Sequence, residues 1–297
     1  MQSELPPHLI GALAAPGPAM NELSSSLPPT NTQTAHDQHG QYPQATTVDD
    51  FRHNLAAVHA RIEAACQRAG RDPATVRLLP VSKTKGEDAI RAAYAAGCRF
   101  LGENKVQEAY GKWQAMQDLT DLKWSVIGHL QTNKAKVVAR FAAEFQALDS
   151  LRVAEALDKR LQAEGRSLDV FVQVNTSGEP SKFGLSPEDV PAFVQALPGF
   201  SALRERGLMT LALFSSEAER VRQCFILLRS LRDRLRQEAP AGLSFDELSM
   251  GMSGDYEIAI EEGATVVRVG QAIFGARALP DSHYWPGVAG TDDKTQG

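Results

Sequence analysis

Eight short apolar runs alternate with amphipathic stretches along most of this chain, and few folds accommodate that rhythm. The runs fall at 76–81, 98–102, 124–128, 144–148, 168–175, 206–214, 243–250 and 265–270. Between them, apolar residues recur every three or four positions around 86–96, 103–117, 130–141, 150–164, 187–197, 216–238 and 254–262, the signature of helices with one buried face. The runs are nearly continuous in Val, Ile and Leu rather than alternating in and out. Parallel strands covered by helices read that way. Eight strand-then-helix units in about 230 residues match a single (β/α)8 TIM barrel. An open doubly wound sheet is the main alternative.

A further helix precedes the first strand. Val48, Phe51, Leu55, Val58, Ile62 and Ala65 share one face, Asp49 and Asp50 sit at its positive end, and Gly70 ends it. Residues 1–46 hold seven prolines and no Lys or Arg, so a disordered, untargeted tail is expected there, with the barrel over 47–278 and a second tail over 279–297. An upstream start, with Met20 as the true first residue, gives the same appearance. The 31 basic and 36 acidic residues leave a net charge of -5 and no basic stripe, so nucleic acid is not an expected partner. No apolar run approaches the ~20 residues that cross a bilayer, and no membrane partner is expected. Cys66, Cys98 and Cys224 are odd in number and far apart, which suggests buried thiols in a reducing, cytoplasmic setting.

In a barrel of this kind the working face lies at the C-terminal ends of the strands. The residues there are Lys83, Glu103 and Asn104, His129, Asp149, Asn175, Met209 to Phe214, Ser253, and Arg268 to Gln271. This is a polar set suited to one small polar molecule. After the seventh and eighth strands come Met250-Gly251-Met252-Ser253-Gly254-Asp255 and Val269-Gly270-Gln271, where glycines and exposed N–H groups suit an anion. Each alone reads as an ordinary turn; together, at these two positions, they favour phosphate. Lys83 closes a wholly apolar strand, where a lysine by default reaches for water or a carboxylate. Arg268, on the strand that closes the barrel against the first, is expected to lower its pKa and leave free amine to attack an aldehyde. A phosphorylated aldehyde fits all three features.

Five motifs in order carry a resemblance. Val81-Ser82-Lys83-Thr84-Lys85, then Phe100-Leu101-Gly102-Glu103-Asn104 with Val106-Gln107-Glu108, then Gly128-His129-Leu130-Gln131-Thr132-Asn133-Lys134, then Arg206-Gly207-Leu208-Met209, then the glycine-serine turn with Val267-Arg268-Val269-Gly270 and Ile273-Phe274-Gly275 resemble the pyridoxal-phosphate homeostasis protein family, also called the proline synthetase co-transcribed family. The resemblance implies the barrel of the alanine racemase N-terminal domain as a stand-alone unit, binding pyridoxal 5'-phosphate (PLP) as an internal aldimine. It implies that Lys83 carries the aldimine, that Arg268 faces the pyridine nitrogen and that Ser253, Gly254, Gly270 and Gln271 hold the phosphate. Asn104 and Met209 complete the expected cofactor-binding set. Three positions depart from the family pattern: Gln271 replaces a common Thr or Ser, Lys105 a frequent aromatic, and Gly86 a frequent Pro.

The implied function is a non-catalytic carrier for intracellular PLP homeostasis. It is expected to be a monomer, with PLP-dependent apoenzymes as candidate recipients. Two other readings share the lysine and the phosphate turns: a PLP-dependent amino-acid racemase, and a lysine-dependent aldolase acting on a sugar phosphate. Racemisation needs a proton donor opposite the lysine, and an aldolase needs a nearby carboxylate. Lys85, Lys134 and Lys182 read as solvent-facing cations, with a weaker role as transit sites for the cofactor.

Overall fold

Parallel pairing runs through the whole sheet of the computed structural model, which describes residues 42–276. The strands are β1 (Arg77–Pro80), β2 (Phe100–Glu103), β3 (Lys123–Val126), β4 (Glu144–Leu148), β5 (Leu168–Gln173), β6 (Leu203–Met209), β7 (Glu247–Ser249) and β8 (Val266–Val269). The helices are α1 (Val48–Arg68), α2 (Glu87–Ala95), α3 (Val106–Ala115), α4 (Ala135–Phe141), α5 (Leu151–Ala163), α6 (Val190–Ala196), α7 (Ala218–Glu238), α8 (Tyr256–Glu261) and α9 (Gln271–Phe274). The strand order is β1-β8-β7-β6-β5-β4-β3-β2. Sequence neighbours are therefore spatial neighbours, and β8 returns to β1. An open doubly wound sheet reverses its order at a switch point instead, so the barrel expectation holds.

Closure between β1 and β2 is thin. A single parallel bridge, Val81 to Gly102, joins them, with Ser82 N donating to Gly102 O at 3.0 Å. A Cβ on Gly102 would lie 3.3 Å from side-chain carbons of both Leu79 and Val81, so glycine lets the strands approach there.

α1 lies outside the eight-unit repeat. Its N-terminus is fixed by a capping box in which Thr47 accepts from Asp50 N and Asp50 accepts from Thr47 N. Phe51 meets Phe274 edge-on at 5.2 Å, and Arg61 and Arg68 pair with Glu257 and Glu261 of α8. The N-terminal helix thus braces the last barrel unit.

Two strands depart most from their apolar runs. The run at 206–214 predicts a strand through Phe214, yet β6 spans Leu203–Met209. Thr210 Oγ1 turns into Val174 O at 2.8 Å and meets Thr176 Oγ1 at 2.9 Å, and the following residues leave the sheet as loop. The run at 243–250 shortens to Glu247–Ser249 because buried Phe245 adopts φ of 47°, outside the strand region. Of the expected tails and barrel end, residues 1–41 and 277–297 lie outside the described residues. Residues 42–46 do not belong with them: Ala45 is buried and Ala276 N donates to Tyr42 O at 2.9 Å, so packing begins before residue 47. All three cysteines are buried free thiols, and burial pushes Cys98 up to about 11.

The Phe245 conformation rests on a buried acid. Glu205 Oε2 accepts from Phe245 N at 3.3 Å while Oε1 has no partner among the described residues, and burial pushes the carboxyl up to about 7. An acid raised on folding stabilises the fold while both states are protonated, and that contribution is lost as pH rises through its folded value. Glu205→Gln should therefore flatten the fall in thermal midpoint of the wild type between about pH 4.5 and 7, as read by circular dichroism melts across that range.

Candidate functional site

Register along the closing strands decides which side chains meet. β1 pairs β8 with Leu79 opposite Arg268 and Pro80 opposite Val269, and Val81 N continues the ladder to Val269 O at 2.9 Å. Paired residues in a parallel ladder share a face. Arg268, Leu79 and, through Met209 and Ser249, the ends of β6 and β7 line the barrel interior.

That interior is more polar than eight apolar runs suggest. Arg268 is 3% exposed, and its Nη1 donates to Ser249 Oγ at 2.6 Å and its Nη2 to Thr210 O at 2.7 Å. Ser249 Oγ donates to Gln146 Oε1 at 2.6 Å, and Gln146 Nε2 donates to Glu144 Oε1 at 2.6 Å. Glu144 also accepts from Ser125 Oγ at 2.7 Å and from Arg77 Nη2 at 2.6 Å. An arginine at each end, with a carboxylate next to one of them, makes a chain of hydrogen bonds across the barrel that is charge-assisted at both ends. Burial pushes Arg268 down to about 10, opposed by Asp255 and Glu144, so it remains a cation at neutral pH.

The seventh and eighth turns meet directly. Ser253 Oγ accepts from Gly270 N at 3.3 Å. Asp255 Oδ1 accepts from Met252 N at 2.5 Å and folds the seventh turn on itself; burial pushes that carboxyl up to about 6, opposed by the Met252 bond and by the charges of Arg268 and Lys182. The helices that follow, α8 and α9, have only 6 and 4 residues, so their dipoles add little, and an anion here would depend on individual amides. Among the described residues the N–H groups of Ser253 and Gly254 meet no acceptor, and those of Gln271 and Ala272 open a helical turn with none before them.

Gly270 links these turns to the lysine strand. A Cβ there would lie 3.2 Å from Val81 O, two residues before Lys83. Lys83 stands in the turn after β1, partly buried, and the next residue, Thr84, is held at φ 64°. Lys83, Ser253, Gly254, Arg268, Gly270 and Gln271 thus belong to β1, β7 and β8 or the turns that leave them. Met209 is fully buried at the end of β6, on the same face as Ser249. Asn104 follows β2, and its carbonyl crosses Gly128 so closely that a side chain there would collide. It is partly buried, one strand beyond the seam from Lys83. At the same rim the His129 ring stacks on Phe183 at 3.9 Å, with Nδ1 3.5 Å from Asp149 Oδ2.

Residue spacing did not expose Gln146, Ser249 or Glu144 as partners of Arg268. Each sits within an apolar run, and the only signal is a polar residue at an inward register position. Of the three other lysines, Lys85 Nζ donates to Gln44 Oε1 at 2.8 Å and Lys182 Nζ to Ala212 O at 3.0 Å, so neither is simply solvent-facing. Among the described residues no cluster of His, Cys, Asp or Glu is arranged to hold a metal, and no helix is long and apolar enough to cross a membrane.

The family model of the alanine racemase N-terminal domain matches residues 53–278. A pyridoxal phosphate homeostasis protein of Pseudomonas aeruginosa is 47% identical over 224 residues, spanning 75% of this chain and 94% of the relative. PipY of Synechococcus elongatus, solved with PLP bound, superposes with a TM-score of 0.67 at 38% identity, covering 76% of this chain and 100% of that one. Alanine racemase of Corynebacterium glutamicum shares the fold at 16% identity and a TM-score of 0.58, over 80% of this chain and 64% of its own.

Gly251, at φ 93°, carries the seventh turn; a Cβ there would lie 2.6 Å from Ala259 Cβ and 2.8 Å from Tyr256 Cα. Gly251→Ala should lower stability by about 1–3 kcal/mol from the backbone conformation alone, measured by urea denaturation, with more from the collision.

Proposed function

This chain belongs to the pyridoxal phosphate homeostasis protein family, and on that premise we propose that it binds PLP reversibly and holds it for cellular B6 homeostasis rather than turning over a substrate. The observation that supports the reading is the close approach of Gly270 to the Val81 carbonyl, which sets the eighth turn against the segment that leads from β1 into Lys83. The residues fit the molecule. The amides of Ser253, Gly254, Gln271 and Ala272, with the Ser253 hydroxyl, would hold the phosphate, and Gly270 would let that cradle sit close against Val81. Lys83 would supply the amine: its nitrogen bonds to the aldehyde carbon and one water leaves. Asn104 and Met209 would line the pocket. Gln271 offers a longer side chain than Thr or Ser at that turn, so the backbone carries more of the grip.

Bound PLP supplies an aldehyde and an aromatic ring able to accept electrons. Arg268 limits the second property. A buried cation beside the ring nitrogen would keep that nitrogen unprotonated, which weakens carbanion formation and favours storage over racemisation. The Ser249 and Thr210 bonds hold that cation in place, so the restraint is built into the barrel. In this reading the chain acts as a monomer and hands PLP to apoenzymes.

Titration of the purified chain with PLP should give a visible absorption band that Lys83→Ala lacks, while the variant keeps its circular dichroism spectrum because the residue is at a strand end. A band of equal intensity in the variant would assign the amine elsewhere. Loss of optical rotation from L-alanine by the loaded protein would favour a racemase.

A further inference from the structure

We propose that Lys112, on the outer face of the barrel, is a positioning residue for Lys83, acting through a buried ion-pair knot that clamps the backbone on both sides of it. The inference rests on Lys83 being the PLP amine.

Four observations support the clamp. Lys112 is 8% exposed, yet its Nζ lies 2.7 Å from Glu103 Oε1 and 2.6 Å from Glu108 Oε1. The same Nζ donates to Ser82 O at 2.9 Å, which ties the residue before Lys83. Glu108 Oε1 accepts from Thr84 N at 2.7 Å, which ties the residue after it. Ser82 Oγ donates to Glu103 Oε1 at 2.6 Å, so the Ser82 side chain points outward under α3. Lys83 follows directly, in the turn that Thr84 continues at φ 64°.

The knot is costly, and the cost argues for a role beyond stability. Buried ion pairs contribute little net stabilisation compared with well-packed apolar groups. Here Glu103 Oε2 is also buried with no hydrogen-bond partner among the described residues. Thr84, a β-branched residue, is held at φ 64°, which a turn free to relax would abandon. The knot also sits on the seam between β1 and β2, where one bridge is all the pairing there is. Apolar residues would close that seam without fixing a turn. Lys112 and Glu108 fix both the seam and the turn, and so set where the lysine amine stands relative to the seventh and eighth turns.

Misplacing a reacting group by about 1 Å can slow capture by up to 100-fold. The test measures two quantities on full-length wild type, Lys112→Met and Glu108→Ala: the rate at which PLP becomes fixed to Lys83 when the mixture is quenched with borohydride, and the affinity for inorganic phosphate. Capture in both variants should fall about 10- to 100-fold, with phosphate affinity unchanged, because the phosphate turns leave β7 and β8 and the knot bonds only to the backbone after β1 and to β2 and α3. Lys112→Arg should recover part of the rate. Glu108→Ala leaves the Lys112–Glu103 pair intact, so it reports on the turn even if Lys112→Met is poorly folded. Capture by folded Glu108→Ala at the wild-type rate overturns the inference alone. A parallel fall in phosphate affinity also overturns it, since the knot would then be supporting the whole mouth. Wild-type protein that fixes no PLP overturns the functional reading, and the inference with it.

Discussion

The return of β8 to β1 is the constraint from which the rest of the molecule follows. It sets Arg268 beside Leu79 inside the barrel and brings Gly270 against Val81, so the last turn of the chain abuts the strand that delivers Lys83. The two groups are about 185 residues apart in sequence, and only closure makes them neighbours. The seam on the other side of β1 is held differently, by one bridge and an ion-pair knot. A strand with a full ladder on one flank and a polar clasp on the other presents its terminal turn in a single pose.

Buried charge recurs wherever that pose matters. Arg268 is desolvated, and it is tolerated because Ser249 and the Thr210 carbonyl take its donors while Gln146 and Glu144 extend the chain toward Arg77. An isolated guanidinium at this depth would be strongly unfavourable, whereas one with a hydrogen bond from each terminal nitrogen is held in place. The amides of the seventh and eighth turns complete this arrangement with partial charges that need no counterion.

The architecture was legible because its signals are local and repeated. Strand runs and helical periodicity gave the barrel, and the polar residues that end each run gave the rim. Boundaries were less legible where a tertiary contact outweighs propensity. Phe245 reads as a strand residue but turns to a positive φ with its N–H on Glu205, and the sheet stops at Thr210, whose N–H still reaches Ser249 O while its hydroxyl bonds the Val174 carbonyl. The internal chain through Gln146 and Ser249 was hidden for a different reason: single polar residues inside apolar runs look like noise until register shows that they face one another. Lys112 had only its spacing from Glu108, four residues along a helix, which ordinarily marks a solvated pair. What made it different was burial under the seam, and no local pattern encodes that.

The central claim is that one amine, on Lys83, joins covalently to PLP. Its most direct test is peptide mapping by mass spectrometry after the loaded wild-type chain is reduced with borohydride. The account predicts a single pyridoxyl modification on the peptide that contains Lys83. Modification confined to another lysine, or none despite bound PLP, would contradict it.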